Sequence, residues 1–311
     1  MMSSNKKKSN FIVVTGPTAT GKTKVAVDIA SKYSGEIISA DSRQIYKGMD
    51  IGTGKDLQEY RINDKKISYH LIDILNPKEN YSVYQFQRDF LSCYNQIKDR
   101  ENLPILCGGT GLYIESILLK YRLQNAPGPN EDLRASLKEK STEELLDLFQ
   151  DISPEKFNDP SKKDTKNRII RSIEIELDKT TNEPDIFANQ SLDDFLVLGI
   201  KQERQENRDL IKKRLIERIE EGLIEEVRGL INNGLDISRL DYFGLEYKFV
   251  GLYLKNELTK EDLIEKLHIA ICQFAKRQMS WFRRMEKRGI SIQWVSPNDK
   301  DTINNLIENA I

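Results

Sequence analysis

The stretch Phe11-Ile12-Val13-Val14-Thr15 runs without a break into Gly16-Pro17-Thr18-Ala19-Thr20-Gly21-Lys22-Thr23, and this passage decides the fold. An apolar, β-branched run bounded by glycine reads as a buried strand. Lys22 to Tyr33 then reads as a helix, with Val25, Ala26, Ile29 and Ala30 along one side. The segment between them fills the pattern G-x-x-x-x-G-K-[ST] of a phosphate-binding loop, in the strand–turn–helix context that the motif requires. Its glycines let successive backbone N–H groups wrap an anion at the positive end of the helix dipole. Lys22 can reach outer phosphate oxygens, and Thr23 offers a hydroxyl to a magnesium ion or to the phosphate chain. Residues Gly16 to Thr23 are therefore expected to bind a diphosphate or nucleotide, with Thr23 as the metal ligand.

From Phe11 to about Leu118, strand and helix patterns alternate. Glu36 to Ala40 reads as a short strand ending at Asp41, and Ile67 to Ile74 as another. Ser82 to Asp99 reads as a helix, Leu103 to Cys107 as a strand stopping at Gly108-Gly109, and Thr110 to Leu119 as a helix. That alternation implies right-handed crossovers and a parallel sheet, with ligands at the carboxyl ends of the strands. A Pro/Gly cluster at Asn125 to Asn130 marks a linker. Beyond it, Glu131 to about Lys179 is charged and helical in period, and Phe195 to Ile200 returns as a strand. Amphipathic helices follow at Glu203–Asn233, Leu245–Lys255 and Lys260–Arg288, then a strand at Ser291–Val295 and a terminal helix. The expected fold is α/β: a P-loop NTPase-like parallel sheet flanked by helices, with a mostly helical insertion. Residues 1–10 form a disordered tail, 11–124 and 196–311 the catalytic core, and 125–195 the insertion.

Composition narrows the chemistry. At 311 residues, 38% hydrophobic and 31% charged, the chain can bury a large core, and no apolar run is long enough for a bilayer. The polar, basic N-terminus has no apolar segment of a secretory signal, so a cytoplasmic protein is expected. Cys93, Cys107 and Cys272 lie far apart and match no metal or redox spacing, and are read as packing residues. With only His70 and His268, a histidine metal site or Ser-His-Asp triad is disfavoured, and an active-site base should be a carboxylate. The formal net charge of −1 means that a nucleic-acid partner must be argued from local patches.

The first such carboxylate is Asp41, at the tip of the second strand. The run from Asp41 to Thr53 is dense in hydrogen-bonding side chains yet carries apolar Ile45, Met49 and Ile51, as a structured substrate loop would. A capping aspartate in a plain turn is the alternative. Asp50 and Asp73 are further candidates, for indirect contact with magnesium. Thr110 could meet a substrate or cap the next helix. Arg168 and Arg171 share a helix face, and with Arg134 they are either phosphate clamps or solvated surface charge. Lys212, Lys213, Arg214 and Arg218 form a basic stripe. Ala275 to Arg288 interleaves cations with Trp281 and Phe282, which suits stacked bases and a phosphate backbone, or else a core beneath a charged face.

Taken together, the phosphate loop, Asp41-Ser42-Arg43-Gln44 continuing to Thr53, His70-Leu71-Ile72-Asp73, Gly108-Gly109-Thr110 and Ala275 to Arg283 resemble the tRNA dimethylallyltransferase family. They occur in that family's order from about residue 11 to 295. The resemblance implies transfer of a dimethylallyl group from dimethylallyl diphosphate to N6 of the adenosine 3′ of the anticodon. The substrates would be tRNAs that read codons beginning with U, recognised through the anticodon stem-loop. It implies Mg2+ as cofactor, a monomer, and no membrane partner. Carried over by position, Asp41, Thr23, Lys22 and Arg214 are catalytic, with Arg218, one helical turn on, as the alternative arginine. Asp41, Ser42, Arg43 and Gln44 would meet the target nucleotide, and Thr110 would be a tRNA contact. Arg134, Asn167, Arg168, Ile169, Ile170 and Arg171 would hold the tRNA from the inserted domain. The chain departs from the family pattern at Gly52 to Asp56, where Ala then Lys-Pro is usual, and at Phe243 to Lys248, which replaces Ile-Gly-Tyr. The alternatives are a small-molecule kinase, an adenylate isopentenyltransferase acting on free nucleotide, and a non-catalytic RNA-binding protein.

Overall fold

Six parallel strands form the main sheet, in the order β5 (Tyr69–His70), β2 (Gly35–Ser39), β6 (Leu103–Gly108), β1 (Phe11–Thr15), β7 (Phe195–Ile200) and β8 (Ile292–Val295). The structure is a computed structural model that describes residues 9–123, 130–159, 162–163, 165–177 and 185–311. The chain divides into two compact units, Met1–Tyr121 with Gln190–Ile311, and Arg122–Asn189. The expected tail 1–10 lies outside the described residues up to residue 8, as does the expected linker from 125 to 129.

In the larger unit, β1 (Phe11–Thr15) is buried along its whole length. Helix α1 (Lys22–Lys32) follows, burying the predicted Val25, Ala26, Ile29 and Ala30. Then come β2 (Gly35–Ser39), a two-stranded ribbon of β3 (Arg61–Ile62) and β4 (Lys65–Lys66), and β5 (Tyr69–His70). The strand expected over Ile67–Ile74 shrinks to β5, because Leu71 and Asp73 take left-handed backbone at φ 60° and 57°. His70 belongs to this edge, where it and Arg100 hold the buried Glu36 carboxylate. Helix α2 (Val83–Asp99) starts at a capping box between Ser82 and Gln85. Strand β6 (Leu103–Gly108) and helix α3 (Gly111–Leu118) complete this half.

The smaller unit is helical: α4 (Glu131–Lys138), α5 (Thr142–Ile152), α6 (Pro154–Phe157) and α7 (Lys166–Leu177). Its core is Leu137, Leu145, Phe149, Ile169, Ile170 and Ile173.

The larger unit resumes with β7 (Phe195–Ile200), α8 (Arg204–Glu220), α9 (Leu223–Asn232), α10 (Leu245–Leu254), α11 (Lys260–Lys287), β8 (Ile292–Val295) and α12 (Lys300–Glu308). The single helix expected over Glu203–Asn233 is two, broken at Gly222, whose φ of 106° ends one and starts the other. Helices α8 to α11 bury Ile45, Tyr46 and Met49 in their own core, so the loop after β2 is pinned by its apolar residues. Among the described residues, no helix is long and apolar enough to cross a membrane.

Candidate active site

Parallel register brings three strand tips to one rim. Val14 and Ser39 both lie opposite Cys107, and Thr15 lies opposite Gly108, so β1, β6 and β2 end level. Strand β6 stands between the other two, so the phosphate loop and Asp41 face each other across one intervening strand. A cavity of about 560 Å³ opens there, lined by Thr18, Lys22, Thr23, Asp41, Arg214 and Arg218 among others.

On the loop side, Gly21 stands at the start of α1 with φ 78°, and no side chain caps the helix. The first-turn N–H groups thus have no protein side chain as acceptor, the arrangement that suits an anion. Lys22 curls over the loop and donates to the Pro17 carbonyl at 2.6 Å. Burial pushes its ammonium down to about 8, with Asp41 among the groups that oppose the shift and Arg214 among those that add to it. Gln278 of α11 braces this loop: its Oε1 accepts from the Thr18 N–H at 2.9 Å, and its Nε2 donates to the Gly109 carbonyl at 2.9 Å. It lies inside the Ala275–Arg283 block, yet its role needed the fold, since only packing brings α11 against both loops.

On the β2 side, the Arg43 N–H donates to Asp41 Oδ1 at 2.9 Å, a local turn that sets the direction of the carboxylate. Thr110 stands at the head of α3 but caps it with no side-chain bond. Its hydroxyl instead accepts from the Ser42 N–H at 3.0 Å, joining the β6 and β2 tips. Gln44 donates to the Gly54 carbonyl at 2.9 Å, and the Arg43 guanidinium lies over the Tyr242 ring. Ser42, Arg43, Gln44 and Thr110 all line the cavity with Asp41.

Asp50 and Asp73 both pair with Lys55, which is 1% exposed and also donates to the Tyr46 carbonyl. A buried ammonium needs those anions, so they anchor the loop, and neither carboxylate lines the cavity. The basic–aromatic helix splits likewise. Phe282 is buried in the core, whereas Trp281 lines the cavity with Arg284 stacked on its ring. Arg284 and Arg288 both pair with the fully buried Glu115 of α3. Arg277 also lines the cavity.

In the smaller unit, Arg134 and Arg171 converge on Glu174, which is 4% exposed, so both half-exposed guanidiniums neutralise a buried acid. Ile169 and Ile170 are core residues, their side chains turned away from solvent. Asn167 and Arg168 are exposed on α7. The family resemblance offered all six as tRNA contacts, and they differ in burial: Ile169 and Ile170 are buried, Asn167 and Arg168 exposed.

Sequence reasoning did not single out Asp56 or Glu246 as site residues. Asp56 Oδ2 accepts from Arg214 at 2.6 Å and lies 3.8 Å from Arg218, and Glu246 lines the same cavity. The departures from the family pattern at these segments were the available signal.

Comparison with known proteins gives a consistent result. A family model described as IPP transferase matches residues 44–285, and one described as isopentenyl transferase matches residues 9–69. A protein of Parabacteroides distasonis named tRNA dimethylallyltransferase 1 is 47% identical, over 93% of this chain and 93% of its own. One of Bacteroides fragilis named tRNA dimethylallyltransferase 2 is 48% identical, over 92% of each. The crystal structure of a full-length tRNA isopentenylpyrophosphate transferase from Bacillus halodurans superposes with a TM-score of 0.65 at 31% identity, covering 97% of this chain and 94% of the other.

Proposed function

The chain belongs to the IPP transferase family, and from that premise we propose that the cavity at the strand tips prenylates tRNA from dimethylallyl diphosphate. The chain is a tRNA dimethylallyltransferase. The observation that carries the proposed mechanism is that the phosphate loop, Asp41 and an arginine pair line one cavity. The diphosphate would lie on the α1 N-terminus beneath Lys22, with its allylic carbon toward Asp41. The exocyclic N6 of the adenosine 3′ of the anticodon attacks that carbon, the carbon–oxygen bond breaks, and pyrophosphate leaves. Asp41 orients the amine and takes its proton, while Lys22 and Arg214 meet the charge growing on the leaving oxygen.

Such an adenine is stacked within the anticodon loop and must be extruded to reach the cavity. Ser42, Arg43, Gln44 and Thr110 are the groups positioned to receive it, with Trp281 as a stacking wall. Thr23 presents a hydroxyl to the cavity, a hard oxygen donor that fits Mg2+ carried in on a diphosphate. Thr23 would hold that ion, which supplies charge neutralisation to the leaving group. The reading takes as the working unit a monomer acting on cytoplasmic tRNAs, those reading codons that begin with U.

The test is nucleoside mass spectrometry of anticodon loops after incubating unmodified tRNA with the protein, Mg2+ and dimethylallyl diphosphate. N6-(dimethylallyl)adenosine 3′ of the anticodon is the expected product. Phosphate release from ATP without prenylated adenosine would instead establish a kinase, and prenylation of free AMP alone would establish the nucleotide-directed enzyme. In the smaller unit, Arg168→Ala should weaken tRNA binding and lower its log–log salt slope by about 0.9, the share of one phosphate contact. Its donor affinity should stay unchanged, and a change confined to the donor would remove Arg168 from the RNA surface.

A further inference from the structure

Arg214 and Arg218 lie one turn apart on α8 and both line the cavity, an arrangement that by itself is unfavourable. Arg218 is the deeper, its side chain 11% exposed against 34% for Arg214. Burial, and after it the neighbouring Arg214, works against its charge. An arginine keeps its proton all the same, so a buried like-charged pair needs a counter-ion held in place. Asp56 supplies it, with one oxygen at 2.6 Å from Arg214 Nη2 and 3.8 Å from Arg218 Nη2. Glu246 faces the same pair; burial pushes its carboxyl up, against the pull of Arg218 and Arg214.

The loop carrying Asp56 is shaped for this. Asp56 takes left-handed backbone at φ 42°, a conformation that aspartate tolerates and proline cannot adopt. A Cβ at Gly54 would land on the Arg218 guanidinium and crowd that of Arg214, so glycine there admits the arginine pair. The loop is fastened independently: Glu226 accepts from the N–H groups of Asp50, Ile51 and Gly52, and Gln44 donates to the Gly54 carbonyl.

We propose that Asp56 is a positioning residue that holds Arg214 and Arg218 side by side, so that two guanidiniums rather than one receive the diphosphate. The proposal deepens the prenyl-transfer reading and rests on it. Asp56 orients the cations and does not itself touch the reacting atoms. Removing it leaves the positive charge but loses the alignment, whereas removing Arg218 loses charge.

The test is steady-state kinetics of the full chain with dimethylallyl diphosphate varied at saturating tRNA, and with pyrophosphate as product inhibitor. Asp56→Ala should lower kcat about tenfold while the pyrophosphate inhibition constant stays level or falls, because the interaction lost is one made in the transition state. Asp56→Glu should restore most of kcat. Arg218→Ala should raise donor KM and the pyrophosphate inhibition constant together by about tenfold, with tRNA KM unchanged. Wild-type kcat in Asp56→Ala, or wild-type pyrophosphate inhibition in Arg218→Ala, overturns the proposal, whatever either change does to the melting temperature. A wild-type chain that neither transfers the prenyl group nor binds pyrophosphate would overturn the underlying reading, and the proposal with it.

Discussion

Asp41→Asn should lower turnover by roughly 10²–10⁴-fold, the span for loss of a general base, with tRNA affinity preserved. The asparagine oxygen can still accept from the Arg43 N–H, which the aspartate does at 2.9 Å, so the local turn and the entry to Ser42 should survive. What the amide cannot do is take a proton from the attacking amine. The measurement is single-turnover prenyl transfer at saturating tRNA and donor, beside equilibrium tRNA binding. Losses of equal size in rate and affinity would make Asp41 a binding residue and leave the proton without an acceptor. The same result would reopen the reading of the whole cavity, since among its lining residues Asp41 is the carboxylate that ends the strand beside the phosphate loop's rim.

Lys22→Met should be the other severe change, costing roughly 10²–10³-fold in turnover through loss of a donor to the leaving oxygens. Its stability effect should run the other way. The Lys22 ammonium is pushed down to about 8 by burial, below its ordinary 10.5, so Lys22 binds its proton less readily in the folded chain than in the unfolded one. The charged lysine therefore costs stability below about pH 8, and that cost fades as pH rises through 8 toward 10.5. Lys22→Met removes the cost, so its melting temperature at neutral pH should match or exceed that of wild type. Donor binding follows the charge and not the stability: wild-type donor KM should rise as pH passes about 8, because the cation is lost. A bound diphosphate holds the proton on, so kcat at saturating donor should keep its value to higher pH. A donor KM that is flat across that range would separate Lys22 from the diphosphate.

Much of the site was legible because its signals are local. The phosphate loop is contiguous, and its strand and helix are set by neighbouring residues. Asp41 was legible because a strand ends where its apolar run ends, and Thr110 for the same reason. The arginine on α8 stayed ambiguous between two positions one turn apart, since helical periodicity gives a face and not a depth. The structure places both in the cavity and buries Arg218 more deeply. That Arg134 and Arg171 share Glu174 was not legible, because cations on a helix look alike until the fold brings a buried acid to them. The same holds for Arg284 and Arg288, which the buried Glu115 claims.

The amino-acid order by itself determined the α/β class, the phosphate loop and the strand-tip carboxylate, because short-range periodicity and backbone chemistry dictate them. Tertiary structure alone decided the strand order that sets β6 between β1 and β2, and the bracing of two loops by Gln278. It also decided which ionised groups face the cavity and which are neutralised inside the protein. The physical reason is that a charge acquires its role from its partners and its distance from water. Residues far apart along the chain supply both, as Asp56 does for Arg214.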